Sequence, residues 1–246
     1  MSDQPVLGTA TLRVAADGTS SELREEVAVE APFAIQLNGE TLATTMRTPG
    51  HDQELTAGFL LAEGHDPRGN ARAPVVRRGT LSSAACGVCG RDTIDDLVAR
   101  LAPVVAETRF DGATLARAMQ TLPEHQPIFA RTGGLHAAAL FSRQGQVLVV
   151  REDVGRHNAV DKVLGRAALD GLVPLSDYFL AVSGRSSFEI VQKAIAAGVP
   201  AVVAISAPSS LAIELSERFR VLLIGFARSG AFTVYAGRFR LEGLDK

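Results

Sequence analysis

The stretch Tyr178-Phe179-Leu180-Ala181-Val182-Ser183-Gly184-Arg185-Ser186-Ser187 passes from an apolar run into a turn of small polar residues. Such a run ending at Ser-Gly reads as a buried strand followed by a turn. Helical spacing follows over residues 187–197. The unit then repeats in kind: an apolar run over 201–205, the turn Ser206-Ala207-Pro208-Ser209-Ser210, and a helix over 209–218. A third run over 221–226 ends at Ala227-Arg228-Ser229-Gly230. Buried strands alternating with helices predict an α/β layer around a partly parallel sheet.

Working outward, residues 136–141 and 146–150 read as a hairpin about Gln144-Gly145, residues 154–169 as a helix and residues 232–236 as a last strand. Before residue 126 the texture is strand-rich. Residues 25–29 and 33–37 alternate, and Asn38-Gly39 is a strong hairpin signal with a return strand over 41–46. A helix follows over 52–63, with Leu55, Phe59 and Ala62 as its stripe and Gly64 at its C-terminal end. A strand over 75–78 and helices over 93–101 and 114–122 come next, the second capped by Asp111. The expected fold class is therefore α/β (α+β overall). A boundary near Pro123 to Gln126 separates a smaller strand-rich domain, residues 1–125, from an α/β domain, residues 126–246, with the nucleotide or cofactor site.

The 246 residues are 46% hydrophobic, with a formal net charge of −2, which suffices for a sizeable core and argues against a general nucleic-acid or membrane-surface binder. The absence of Trp and the two Tyr residues argue against an aromatic platform for stacked nucleic-acid bases. The opening Met1-Ser2-Asp3-Gln4-Pro5 is unlike a signal peptide, and the longest apolar stretch is broken by Gly198 and Pro200. A cytoplasmic protein with reduced thiols is expected.

The three strand-end turns share one chemistry. In an open α/β sheet the carboxyl ends of parallel strands line the ligand crevice. The first two turns also open helices, whose free N–H groups favour an anion. Arg185 and Arg228 add bidentate phosphate donors, so the turns point to a phosphate-bearing ligand; the plain alternative is serine and glycine capping helices. The segment from Arg151 to Lys162 is dense in functional groups, with Asp153 placed to cap a helix and His157 in line with Val160, Val163, Leu164 and Ala167. Its plain reading is a partly buried histidine held by hydrogen bonds. Thr132-Gly133-Gly134-Leu135-His136 likewise reads either as a site or as a turn before a satisfied histidine.

The only two cysteines stand together in Cys86-Gly87-Val88-Cys89-Gly90, in a loop-like setting beside Arg77, Arg78 and Arg91. Cationic neighbours lower a thiol pKa, and the glycines leave room for a partner at sulfur. Four readings stand: half a zinc site, a thioredoxin-like dithiol, an inert pair, and a thiolate that takes up and hands on sulfur. A zinc site needs a second ligand pair, and none of the five histidines falls in one.

Several segments together resemble the FdhD family of formate dehydrogenase accessory sulfurtransferases. They are Met46-Arg47-Thr48-Pro49-Gly50 with residues 54–59, the cysteine motif, and residues 132–141, 152–162, 183–194, 206–212 and 225–235, in family order over nearly the whole chain. Ala84 and Ala85 stand where the family is often serine-rich. The resemblance implies a cytidine-deaminase-like C-terminal domain. It implies a carrier that receives sulfur as a persulfide from a cysteine desulfurase. The sulfur passes to the molybdenum or tungsten of a bis-molybdopterin guanine dinucleotide cofactor, bound as substrate, for which GDP is a partial mimic. Formate dehydrogenase apo-enzyme is the implied recipient; a homodimer is one possible assembly, which the sequence does not decide. Cys86 is the implied persulfide carrier and Cys89 its assistant. The implied cofactor-binding residues are Ala227, Arg228, Ser229, Gly230, Ala231 and Phe232, and Arg185, Ser206 and His136 are further candidates. The PCxxC zinc motif of deaminases does not follow His136, so neither zinc nor deaminase chemistry is expected. The contrasting class is a non-catalytic cofactor chaperone or redox-sensing binding module, which would keep its activity without Cys86. A zinc-dependent nucleotide hydrolase on the same fold would need stoichiometric metal.

Overall fold

The computed structural model describes residues 4–69, 98–99 and 101–243. Cys86, Cys89, the expected strand over 75–78 and most of the expected helix over 93–101 lie outside the described residues.

The chain opens with two hairpins. β1 (Val6–Val14) pairs antiparallel with β2 (Ser20–Ala28), and β3 (Ala31–Leu37) with β4 (Glu40–Arg47). At the second hairpin Asn38 and Gly39 have φ of 51° and 80°, the paired left-handed conformation that Asn-Gly favours. The first hairpin is longer than the alternation over 25–29 suggests. Leu7, Leu12, Val14 and Val27 are exposed, so no one-sided apolar pattern marks it.

Helix α1 (Asp52–Ala62) follows, and Gly64 takes the left-handed conformation just beyond its end. Helix α2 (Gly112–Thr121) is capped by Asp111, which accepts the Thr114 N–H at 2.8 Å. A short helix, α3 (Pro127–Thr132), then leads to β5 (His136–Ser142), β6 (Val147–Asp153) and helix α4 (Arg156–Leu169). The rest is β7 (Tyr178–Val182), α5 (Phe188–Ala196), β8 (Ala201–Ala204), α6 (Ser210–Phe219), β9 (Leu222–Arg228) and β10 (Ala231–Ala236).

These last six strands form one mixed sheet, in the order β10-β9-β8-β7-β5-β6. β7, β8 and β9 run parallel, and the other neighbours are antiparallel. Strand alternation sends Leu180, Val182, Val202 and Leu223 into one core with α4, α5 and α6. Phe179, Ala181, Val203 and Ile224 enter the opposite core, where Phe110, Leu115, Met119 and Leu241 meet them. Both faces are thus covered, which is why these strands read as unbroken apolar runs. Phe110 joins the C-terminal segment through hydrogen bonds with Arg240 O at 2.7 Å and Glu242 N at 2.9 Å. Residues 104–122 therefore pack with the sheet, although they precede residue 125.

Helix α1 crosses α4 at two glycines. A Cβ on Gly58 would lie 1.9 Å from Asp161 O, and one on Gly165 would lie 1.9 Å from Glu54 O. The backbones are in direct contact there, and any side chain would force the helices apart. Beside this crossing, Asp153 at the end of β6 is fully buried. Its carboxylate meets Lys162 Nζ at 2.7 Å and accepts the Thr48 N–H at 3.1 Å, the Gly155 N–H at 2.8 Å and Asn158 Nδ2 at 3.0 Å. The loop after β4 is held in return: Lys162 donates to Thr48 O, Asn158 to Met46 O, and the Val154 N–H to Thr48 Oγ1. Asp153 is therefore not the helix cap that its position in sequence suggests. Gly155 occupies that place and α4 begins at Arg156, because the carboxylate is committed to the loop.

Overfilling a packed interface usually costs about 1–3 kcal/mol, and more where backbone blocks relaxation. Gly58→Ala and Gly165→Ala are each expected to lose at least about 3 kcal/mol in urea denaturation. Gly8→Ala, whose Cβ would meet nothing nearer than 3.7 Å, is the control and should stay near wild type. Equal stabilities for all three variants would refute the close crossing.

Candidate functional site at the carboxyl edge of the sheet

Because β7, β8 and β9 are parallel neighbours, the turns that follow them emerge on one edge. The turns are joined to each other. The Ser209 N–H donates to Ser186 O at 3.0 Å, and the Phe226 N–H donates to Ser206 O at 3.2 Å. β5 is antiparallel to β7, so it begins at this same edge. There the Ala137 N–H donates to Ser183 Oγ at 2.8 Å, and a Cβ on Gly184 would come within 3.5 Å of His136 Nδ1. β6 is antiparallel to β5, so it ends here, and the N-terminus of α4 brings Arg156 and His157 to the edge.

The arrangement about His157 fixes its tautomer. Arg156 Nε lies 3.3 Å from His157 Nε2, and a guanidinium N–H can only donate, so Nε2 carries the lone pair. The Ser187 hydroxyl is 3.1 Å from the same nitrogen. Nδ1–H then faces Glu189 Oε2 at 3.3 Å. Burial pushes the His157 pKa down to about 4; the Glu189 charge opposes this, and Lys193 and Arg156 add to it. The imidazole is neutral at neutral pH, so its 3.3 Å approach to Glu189 is not an ion pair. His136 is also lowered, first by burial and then by Arg156.

Ser187 sits at the N-cap of α5 but makes no capping bond, with its hydroxyl beside His157 instead. Ser209, at the matching place on α6, does cap, accepting the Ala212 N–H at 3.3 Å. The plain reading of these turns thus holds for Ser209 and not for Ser187. Arg156, Arg185 and Arg228 reach this edge, and none of them has a carboxylate partner among the described residues. Three guanidinium groups without a carboxylate partner among the described residues thus stand at the edge where α4, α5 and α6 begin.

Of the residues singled out in the sequence, His136, Arg185, Ser206 and residues 227–232 all lie at this edge. They differ in exposure. Ala227 is buried in the core, and Phe232 packs against α2, where a Cβ on Gly112 would lie 3.2 Å from its ring. Arg228 to Ala231 are exposed, and Ser229 and Gly230, with φ of 52° and 78°, form the tight turn between β9 and β10. Glu189 and Phe226 were not singled out, and Arg156 and Ser187 were named only as parts of longer segments. Arg156 stands next to His157 in a segment already dense in functional groups, which is the one signal that could have found it. The partners of His157 come from an element beyond β7 and only the topology brings them close.

Comparison with known proteins agrees with this architecture. The sequence profile of the FdhD/NarQ family matches residues 28–67 and 65–242, and the chain belongs to that family. It is 46% identical to the "Sulfur carrier protein FdhD" of Anaeromyxobacter dehalogenans over 89% of each chain. It is 42% identical to the protein of the same name from Nocardia farcinica over 96% of each chain. The crystal structure of a formate dehydrogenase accessory protein from Desulfotalea psychrophila superposes with a TM-score of 0.77 at 26% identity, over 96% of this chain and 99% of that one. Among the described residues no helix is long and apolar enough to cross a membrane.

The state of His157 has a pH consequence. Its folded pKa is near 4, below the ordinary 6.5, so the unfolded chain takes up the proton first on acidification. The stability tied to the neutral ring is complete above about pH 6.5 and is lost as the pH falls toward 4, on the order of 3 kcal/mol in all. Between about pH 7 and pH 4.5, wild type should lose clearly more urea stability than His157→Gln. Parallel losses in the two proteins would show that His157 is not buried as a neutral ring.

Proposed function

We propose that this protein is a sulfur carrier that serves formate dehydrogenase. It takes sulfur as a persulfide on Cys86 from a cysteine desulfurase and passes it to the metal of a bis-molybdopterin guanine dinucleotide, which it binds as substrate. The names borne by its relatives, sulfur carrier protein and formate dehydrogenase accessory protein, support the first half of this reading. The second half is supported by three arginines that have no carboxylate partner among the described residues, Arg156, Arg185 and Arg228, at an edge where turns and helix N-termini converge. A substrate with two guanosine diphosphate moieties presents the anions that such an edge attracts.

The chemistry needs no further group for uptake. The Cys86 thiolate attacks the outer sulfur of the donor's persulfide, and the donor's own thiolate leaves. For delivery, Cys89 attacks the inner sulfur of the Cys86 persulfide. Hydrosulfide leaves toward the metal, a Cys86–Cys89 disulfide remains, and a cellular dithiol reduces it. At the nucleotide edge His136 and His157 are neutral and add no charge, and the arginines supply the positive field.

Two outcomes test the two halves separately. Incubation with a cysteine desulfurase and cysteine should add one sulfur mass to the peptide that holds Cys86. Cys86→Ser should lose both that adduct and the activation of formate dehydrogenase, and a fully active Cys86→Ser protein would overturn the carrier reading.

Arg228→Ala should keep the adduct but bind GDP roughly ten- to a hundredfold more weakly, since one charge-assisted contact contributes about 1.5–3 kcal/mol. Unchanged GDP binding by calorimetry would remove Arg228 from the phosphate site.

A further inference from the structure

The amino end of β9 carries its own group of arginines. Arg218 lies in the last turn of α6, Arg220 stands two residues before β9, and Arg238 opens the short turn Arg238–Arg240 that follows β10. All three are exposed, and none has a carboxylate partner among the described residues. The turn is pressed onto the start of β9, since a Cβ on Gly237 would lie 2.4 Å from Val221 O and 2.7 Å from Leu222 Cα. Glu217 stands among these arginines, but its carboxylate accepts the Gly237 N–H at 3.3 Å. The exposed Glu107 is likewise in no ion pair with an arginine among the described residues.

The cations rest on a fixed base. Arg240 is buried and donates to the carbonyls of Val104, Ala106, Thr108 and Arg220. Burial, and after it the Arg220 charge, pushes the Arg240 pKa down to about 10, so Arg240 stays charged at neutral pH and adds to the field. Its bonds also hold residues 104–108, where Val105 is 91% exposed. Phe239 is 45% exposed, with its ring centroid 4.7 Å from the Arg220 guanidinium carbon and 5.3 Å from that of Arg240. Such a ring restrains a long cationic side chain before any partner arrives, which lowers the entropy cost of binding. Arg220 itself has φ of +63° at the end of α6, a left-handed position that glycine usually fills. An arginine kept there at a conformational cost asks for a use outside the core.

We infer that Arg218, Arg220 and Arg238, with Phe239 and Val105 beside them, form a docking surface for an acidic segment of a partner protein. Guanidinium forks match carboxylates in a bidentate manner. The exposed ring and the exposed valine suit apolar side chains set among those carboxylates, as in a protein interface whose centre is aromatic and rim charged. The whole chain has a net charge of −2, so the positive surface is local rather than a general attraction for polyanions. It lies at the opposite end of β9 from Arg228, and the inference does not depend on the nucleotide site.

The test is fluorescence anisotropy of the full-length protein with a labelled peptide of repeated Glu-Glu-Leu units, for wild type, Arg220→Glu, Arg238→Glu, Phe239→Ala and Arg228→Glu. Wild type should bind the peptide, and more weakly as salt is raised. Arg220→Glu and Arg238→Glu should each weaken binding at least roughly fivefold, because a favourable charge becomes a repulsive one. Phe239→Ala keeps every charge, so it should weaken binding roughly threefold with an unchanged salt dependence and thermal midpoint. Arg228→Glu makes the same change of charge at the other end of β9 and should bind as wild type does. An equal loss in Arg228→Glu would show that net charge or the nucleotide edge attracts the peptide, and would overturn the docking surface. Unchanged binding by both Arg220→Glu and Arg238→Glu would overturn it too. A wild type that ignores the peptide refutes the proposal as well, whether or not it binds vesicles of phosphatidylserine and phosphatidylcholine.

Discussion

The buried carboxylate of Asp153 is the group on which the placement of the site depends. It ends β6, receives Lys162, Asn158 and two backbone N–H groups, and so holds the loop after β4 against the start of α4. A buried ion pair gains little net stability when compared with an apolar replacement, but losing one partner leaves an uncompensated charge in the core. Its value here is positional. With Asp153 committed to Thr48 and Lys162, α4 must begin at Arg156, and Arg156 and His157 are delivered to the edge where β7, β8 and β9 end. The glycine crossing of α1 and α4 serves the same end, since it lets α1 carry the β4 loop within reach of Asp153.

The segments shared with the family divide by role on this account. Met46 to Gly50 and residues 152–162 mostly bind one another. Arg47 pairs with Asp52 at 2.8 Å and Arg151 with Glu54 at 2.6 Å, so their cations are spent on structure. Lys193 is likewise held by Asp161 at 2.8 Å. Arg156, Arg185 and Arg228 are different, and their field is directed outward. The neutral histidines beside them fit this division, because burial and nearby cations both oppose a further positive charge. A cation-rich edge with neutral histidines is consistent with the anionic ligand proposed above.

Sequence alone determined the elements whose surroundings are uniform along their length. β7, β8 and β9 are buried on both faces, so apolar runs bounded by serine and glycine were sufficient to mark them and to put three turns on one edge. Asn38-Gly39 marked its hairpin because only a few residues tolerate the left-handed turn. The cysteine motif and the family resemblance were also legible without coordinates, since they depend on residue identity and order. What only the tertiary structure decided were the contacts that join distant elements. β1 and β2 show no one-sided pattern because solvent meets both their faces. Asp153 has the sequence position of a cap, but competition from Thr48 and Lys162 takes its carboxylate away. Ser187 and Ser209 look alike in sequence, and only the proximity of His157 separates them. Phe226 belongs to an apolar run like any other, and a bulge set by pairing with β10 turns it from core to surface. In each case local propensity names the element, while the energy of a long-range contact decides what its side chains do.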